Sequence, residues 1–150
     1  MNDDYTVEPA KDIDVFDGVT TLDLVILAKH ILGISELDSP YKHIAADVNM
    51  DGVLNINDLI EIRQLILFAI DEFSTQRSWL FVEASYEFMN LTNPLAENFP
   101  QVIDVNNLSA DIAAANFIGV KLGDLDNSAC LLYTSPSPRD RTRSRMPSSA

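Results

Sequence analysis

Asp47-Val48-Asn49-Met50-Asp51-Gly52-Val53-Leu54-Asn55-Ile56-Asn57-Asp58 puts oxygen-bearing side chains on alternate residues and then runs straight into the apolar stretch Leu59-Ile60-Glu61-Ile62. Alternation at Asp47, Asn49 and Asp51 lets one tight turn aim three oxygens at a hard cation, and Gly52 supplies the bend. In that register Val53 offers its backbone carbonyl, Asn55 reaches the ion directly or through water, and Asp58 closes the shell from the first helical turn. The last position departs from the usual calcium-hand pattern, which has a bidentate Glu there. A metal-free alternative is an Asx-rich turn in which Asn55 caps the helix and Asp58 answers it three residues on. The two readings are compatible, and capping alone does not require Asp47, Asn49, Asp51 and Gly52 in that register. The stretch is therefore read as a calcium loop.

A second copy of the unit lies upstream. Setting Asp23 on Asp58 pairs Leu24 with Leu59, Val25 with Ile60, Leu27 with Ile62, Ile31 with Ile66 and Leu32 with Leu67, an offset of 35 residues. Asp17-Gly18-Val19 then repeats Asp51-Gly52-Val53, but the first loop is one residue shorter between its glycine and its closing acid. Asp12, Asp14, Asp17, Thr21 and Asp23 are a second candidate calcium set. Against it, Phe16 falls where a ligand is expected, and Thr20 with Asp23 forms a capping box that needs no metal.

Two loop–helix units, each closed by Asp rather than Glu and each leading into an Ile-Leu helix, resemble a type I dockerin. The runs that carry the likeness are Gly18-Val19-Thr20-Thr21-Leu22-Asp23-Leu24 with Lys29-His30-Ile31-Leu32-Gly33, and Ala46 to Gly52 with Asn57-Asp58-Leu59. Ser78-Trp79-Leu80-Phe81-Val82 and Val120-Lys121-Leu122-Gly123-Asp124 resemble the segment that trails such modules in large secreted proteins of Bacteroidota-like bacteria. The resemblance implies a non-catalytic module that binds a cohesin domain through calcium and attaches an enzyme, such as a polysaccharide-degrading one, or an adhesin to a scaffold or surface. It implies partner-facing residues at Thr21, Leu22, Ala28, Lys29 and Gly33 in one copy and at Ile56, Asn57, Arg63, Gln64 and Phe68 in the other, with Leu65 beside them. The two sets differ chemically, which speaks against two equivalent binding orientations.

Periodicity gives one stripe per helix, Leu24, Leu27, Ile31 and Leu59, Ile62, Ile66, expected to form the core. The opposite faces then hold Asp23, Ile26, His30, Gly33 and Asp58, Glu61, Leu65, Phe68, with His30 exposed. Ile26, Leu65 and Phe68 are expected either to meet a partner or to be covered by the downstream segment. Asp38-Ser39-Pro40-Tyr41-Lys42-His43-Ile44 reads as a short connecting helix with Pro40 near its first position. Trp79, Phe81, Val82, Tyr86 and Phe88, and later Ile118, Val120 and Leu122, have strand character. Residues 90–100, with two Xaa-Pro pairs, read as a loop. Asp124-Leu125-Asp126-Asn127-Ser128 could begin a third loop but lacks a following glycine and closing acid, and is read as a turn or linker. The expected fold is mainly α: an N-terminal extension over 1–11, a dockerin-like pair of calcium loop–helix motifs over 12–73, and a mixed or β appendage over 74–129.

The chain has 150 residues and a net charge of −13, and residues 1–129 alone hold 22 Asp or Glu against 6 Lys or Arg. That balance disfavours nucleic acid and anionic membranes as partners, and no segment approaches spanning length, so no membrane insertion is expected. Residues 130–150 hold Arg139, Arg141, Arg143 and Arg145 among Ser and Pro, with no core pattern. Cys130-Leu131-Leu132-Tyr133-Thr134-Ser135-Pro136 and its continuation resemble the translation of a sequencing-library adapter, so the tail is expected to be disordered and an artefact; a functional basic tail is the alternative. Without Cys130 there is no cysteine, hence no disulfide framework or zinc cluster. Met1-Asn2-Asp3-Asp4 does not open a signal peptide, and the chain is expected to be a piece of a longer extracellular or cell-surface polypeptide. His30 and His43, the two histidines, have no nucleophile in a catalytic context, and no phosphate loop appears. The expectation is a calcium-binding docking module with one calcium site and a possible second; the runner-up is a calcium-stabilised structural linker within an adhesin, and a calcium sensor comes third because Met is scarce.

Overall fold

The computed structural model describes residues 4–11, 14–107 and 115–129; the expectations placed on Asp12 and on the tail from residue 130 lie outside them. Among the described residues three α-helices follow one another, α1 (Thr21–Ile31), α2 (Pro40–Ala46) and α3 (Ile56–Ile66). Each starts where its sequence can cap it. Thr20 is extended, its hydroxyl accepts from the Leu22 amide at 3.2 Å, and the Asp23 carboxylate takes the Thr20 amide at 2.7 Å. Asn55 and Asp58 repeat the box at the start of α3. Ser39 caps α2, with Pro40 at the position where a missing N–H costs nothing.

Among the described residues four strands make two antiparallel ribbons. β1 (Tyr5–Val7) pairs with β3 (Ile103–Val105), and β2 (Trp79–Glu83) pairs with β4 (Phe117–Lys121) in the register Trp79↔Lys121 to Glu83↔Phe117. Tyr86 and Phe88 lie outside the strands, in edge-to-face contact with each other at 5.0 Å, and Phe88 also meets Tyr41 and Phe99. Residues 90–100 form a loop around a single 3-10 turn, Pro94–Ala96. Glu97 ties it down by accepting from the Tyr86 hydroxyl and the Met89 and Asn90 amides.

One hydrophobic cluster runs through all of this. Leu27, Ile44, Ala45, Val48, Ile62 and Leu65 from the helical part meet Phe73, Leu80, Val82, Val120, Leu122 and Leu125. Alternation along β2 and β4 sends Leu80, Val82 and Val120 into that cluster. The other face is closed at one end by the N-terminal segment: Lys11 sits 4.0 Å over the Trp79 ring, and Lys121 Nζ donates to the Val15 carbonyl at 2.8 Å. The boundary expected near residue 73 thus cuts through a shared core.

The helix faces differ from the periodic reading. Leu27 and Ile62 are buried as expected, while Leu24, Ile31, Leu59 and Ile66 are only half-buried. Leu65 is fully buried, Ile26 packs against the core and His30 is half-buried, its Nδ1 accepting from the Leu37 amide and its ring edge-on to His43 at 5.2 Å. The buried stripe is therefore rotated toward the side where Asp23 and Asp58 enter the interior. What faces solvent instead is Leu22, Val25 and Leu32 on the first repeat and Ile56, Ile60, Leu67 and Phe68 on the second. Phe68 is 73% exposed, yet its ring tilts onto Phe16 at 5.0 Å.

These placements set an expected mutational contrast. Leu65→Ala should destabilise by about 2–5 kcal/mol through a cavity in the core, whereas Phe68→Ala should cost under about 1 kcal/mol because most of its surface is already in water. Urea unfolding of both variants checks it; equal costs would contradict the burial of Leu65.

Candidate metal centre

The second loop is built between the end of α2 and the start of α3. Asp47 caps α2, is 5% exposed, and accepts from two amides ahead of it, Asp51 N–H to Oδ1 at 3.1 Å and Gly52 N–H to Oδ2 at 3.0 Å. Asn49 Oδ1 accepts from Asp51 N–H at 2.9 Å and Asp51 Oδ1 from Val53 N–H at 2.9 Å. Met50, between them, takes a left-handed backbone with φ 56°. Asn55 donates its side-chain amide to the Val53 carbonyl at 3.1 Å while capping α3. These contacts coil residues 47–53 into a turn that carries Asp47, Asn49, Asp51 and the Val53 carbonyl, with Asn55 and Asp58 following at the start of α3.

Asp58 supplies the test of whether a cation fits. It is fully buried, its Oδ2 accepts from the Asn55 amide at 3.0 Å, and its Oδ1 is buried with no hydrogen-bond partner. A buried acceptor left without a donor costs about 1–3 kcal/mol, which a hard cation would relieve. Burial pushes the Asp58 carboxyl up to about 6, opposed by the Asn55 amide and reinforced by the charges of Asp47 and Asp51. Burial likewise raises Asp47. The set of carboxylate, amide and carbonyl oxygens suits calcium, which accepts six to eight oxygens in loose geometry, better than it suits soft-ligand metals.

In the first loop Asp14 is exposed with φ 53°, and Thr21 is exposed as the first residue of α1. Among the described residues, the group of three carboxylates whose oxygens lie within 4.8 Å of one another is Asp23, Asp124 and Asp126. Asp23 is fully buried, and its Oδ1 accepts from the amides of Leu125 at 2.7 Å and Asp126 at 3.1 Å. Asp124 is 4% exposed, and burial raises its carboxyl to about 6. Lys121 is 4% exposed, and burial lowers its ammonium to about 8 against the opposing pull of Asp124, Asp17, Asp14 and Asp23.

Residues 124–129 form the turn expected of them, with the Asp124 carboxylate accepting from the Ser128 and Ala129 amides; its place beside Asp23 comes from a contact about a hundred residues long that no local pattern announces. Of the expected partner surface, Leu22, Thr21, Lys29, Ile56, Asn57, Arg63, Gln64 and Phe68 are exposed, and Leu65 is not.

Among the described residues no helix is long and apolar enough to cross a membrane. Comparison with curated proteins and with solved structures gives no match. Comparison with protein families matches residues 10–67 to the dockerin type I domain. The matched span contains α1, α2, the whole second loop and α3. Over residues 10–67, well under half of its length, the chain is thus similar to the type I dockerin domain, the family its two loop–helix units resemble.

Proposed function

We propose that the chain is a calcium-dependent docking module of a larger extracellular or cell-surface protein, binding a cohesin-type domain and so fixing an enzyme or adhesin to a scaffold or surface. A dockerin domain is itself non-catalytic and implies calcium and a cohesin partner. The observation that carries the reading is the second loop within the matched span, with its buried, donorless Asp58 oxygen. Asp47, Asn49, Asp51, the Val53 carbonyl, Asn55 and Asp58 would hold the ion. Calcium there would supply charge neutralisation and fix the angle between the loop and α3.

The docking face follows from what the fold leaves in water. Leu22, Val25, Ile56 and Ile60 are about half exposed, and Leu67 and Phe68 more so. Thr21, Lys29, Asn57, Arg63 and Gln64 are exposed around them, an apolar centre with a polar rim of the kind interfaces use. One observation favours the alternative of a structural linker: Leu65 is buried and Ile26 packs against the core, so of Ile26, Leu65 and Phe68 only Phe68 stays largely in water.

Calcium and folding should be coupled. At 100 times its dissociation constant calcium adds about 2.7 kcal/mol, equivalent to roughly 5–10 °C in melting temperature for a chain of this size. Calorimetry with calcium and with chelator measures it, and an unchanged midpoint would remove the metal from the account.

The raised Asp58 carboxyl fixes the sign of the pH dependence. In the ion-free fold its protonated form is favoured, so its contribution to stability is greatest at acid pH, below the ordinary carboxylate value near 4, and is lost as pH rises through about 6. Chelated protein should therefore melt lower at neutral than at mildly acid pH, and calcium should restore stability above about pH 6 and bind more weakly below it. Melting curves across that range, with and without chelator, show the effect. A chelated protein whose midpoint rises with pH would contradict it.

Capture on immobilised cohesin domains should depend on calcium and fall at least about tenfold when Val25 or Ile60 is changed to Asp, a charge on an interface core costing more than 1.4 kcal/mol. Capture by no cohesin, in a protein that still binds calcium, would favour the structural linker.

A further inference from the structure

We infer that the cleft between α3 and residues 70–74 receives a lysine or arginine side chain of the docking partner, its aliphatic stem on Ile60 and Ile70 and its charge beside Glu61 and Glu72. This rests on the docking reading above and deepens it by naming the chemistry the partner must bring to one place. The second wall of the cleft lies beyond residue 67, where the match to the dockerin domain ends.

The fold builds this cleft from both sides. Residues three and four apart share a face of a helix, so Asn57, Ile60, Glu61 and Gln64 together form one wall. At the end of α3 the chain turns at Phe68, φ 55°, and the Ala69 amide reaches back to the Gln64 carbonyl at 2.9 Å. Ile70, Glu72 and Ser74 then form the facing wall of a cavity of about 390 Å³. Phe73, between them, is buried in the core and anchors that wall. Glu61 Oε1 accepts from the Ser74 amide and ties the walls to each other, and the Thr75 hydroxyl donates to the Val48 carbonyl at 3.3 Å just beyond. An occupant therefore enters a site already formed, with little left to order on this side.

The lining selects the occupant. Ile60, 45% exposed, and the half-buried Ile70 offer apolar surface, while Glu61 and Glu72 are the charged groups of the walls and no cation lines them. Among the described residues neither carboxylate is paired with a cation. An acidic occupant would be repelled, and a purely apolar one would leave both carboxylates facing it. A lysine or arginine meets both demands, being an aliphatic stem that ends in a charge. Continuity points to a partner protein as its source: Asn57, Ile60 and Gln64 belong at once to the cleft and to the face that the docking reading leaves in water. The charge of the chain, −13 overall, favours a basic surface opposite it.

The double change Glu61→Gln with Glu72→Gln removes both charges, and the new amide at 61 still offers an oxygen to the Ser74 amide. Surface plasmon resonance of the full chain on immobilised cohesin-type domains, with calcium present, measures the consequence. The double variant should bind at least about tenfold more weakly, chiefly through slower association. Raising salt from about 0.05 M to about 0.5 M should weaken the wild type far more than the double variant. Circular dichroism and the melting midpoint check the fold; if the double variant melts lower, Glu72→Gln alone, an exposed change, should still weaken binding several-fold. Capture abolished by Val25→Asp but unchanged by the loss of both carboxylates would leave the docking reading standing and reject the cleft. Wild-type capture by no cohesin-type domain would reject both. Two other occupants would also overturn the assignment. Tighter capture once residues 130–150, with their four arginines, are removed from the wild type but not from the double variant would give the cleft to the chain's own tail. A dimer seen by sedimentation in the wild type and absent in the double variant would give it to a second copy.

Discussion

The Asp23 carboxylate is fully buried, and everything at one end of the molecule is arranged around it. A charge in that position is tolerated only if hydrogen bonds or a counter-charge replace its water. Its Oδ2 takes the Thr20 amide and hydroxyl, which fixes where α1 begins. Its Oδ1 takes the Leu125 and Asp126 amides, which fixes where β4 must deliver the chain. Leu122 and Leu125, on either side of that contact, are then fully buried, and the Gly123 amide reaches the Ala45 carbonyl at 2.8 Å. One side chain thus caps a helix and seats a distant segment in the core, so the ribbon of β2 and β4 is held to the helical repeats by polar geometry as well as by apolar contact.

The repeats are alike where the backbone demands it and differ where it does not. Both helices end with a residue in the left-handed region, Gly33 with φ 69° and Phe68 with φ 55°, each followed by an amide that reaches back into the last turn, Ile34 to Lys29 and Ala69 to Gln64. Glycine takes that backbone freely, whereas a bulky residue there costs on the order of 1 kcal/mol or more. Phe68 recovers part of this by laying its ring on Phe16. The pairs Val25 with Ile60 and Leu32 with Leu67 are exposed in both copies, while Lys29 faces solvent where the second copy has Gln64. The two exposed faces are therefore similar in their apolar centre and differ in where the cation stands, Lys29 on one and Arg63 on the other.

Local chemistry was legible in the sequence and long-range chemistry was not. Caps at Thr20, Ser39 and Asn55, the helix between the repeats and the turn at residues 47–53 all follow from neighbouring residues, and all three helices start where those residues place them. The buried face of α3 did not follow, because Leu59, Ile60, Ile62, Leu65, Ile66 and Leu67 are apolar nearly all the way round and periodicity selects no side. Asp23 and Asp58 added to the error: an aspartate at a helix start is ordinarily counted with the polar face, and here both point inward. The approach of Asp124 and Asp126 to Asp23 did not follow either, because it spans about a hundred positions and rests on backbone amides of Leu125 and Asp126 that a local pattern cannot place.

The extent of the folded unit follows from the same non-locality. The dockerin match stops at residue 67, but Phe73, Leu80, Val82, Val120, Leu122 and Leu125 share one cluster with Leu27 and Ile62. A pair of short helices with their loops buries too little apolar surface to stand securely alone, since a unit of about 60 residues hides only about 60% of its surface. The ribbon adds the buried area that the repeats lack, and β4 brings it to the core beside α2. Leu65 and Ile26 are withdrawn into that common core while Val25, Ile60 and Phe68 are left in water. What remains for a partner is therefore carried by the outer faces of α1 and α3, because the connecting helix between them is the one that takes the ribbon.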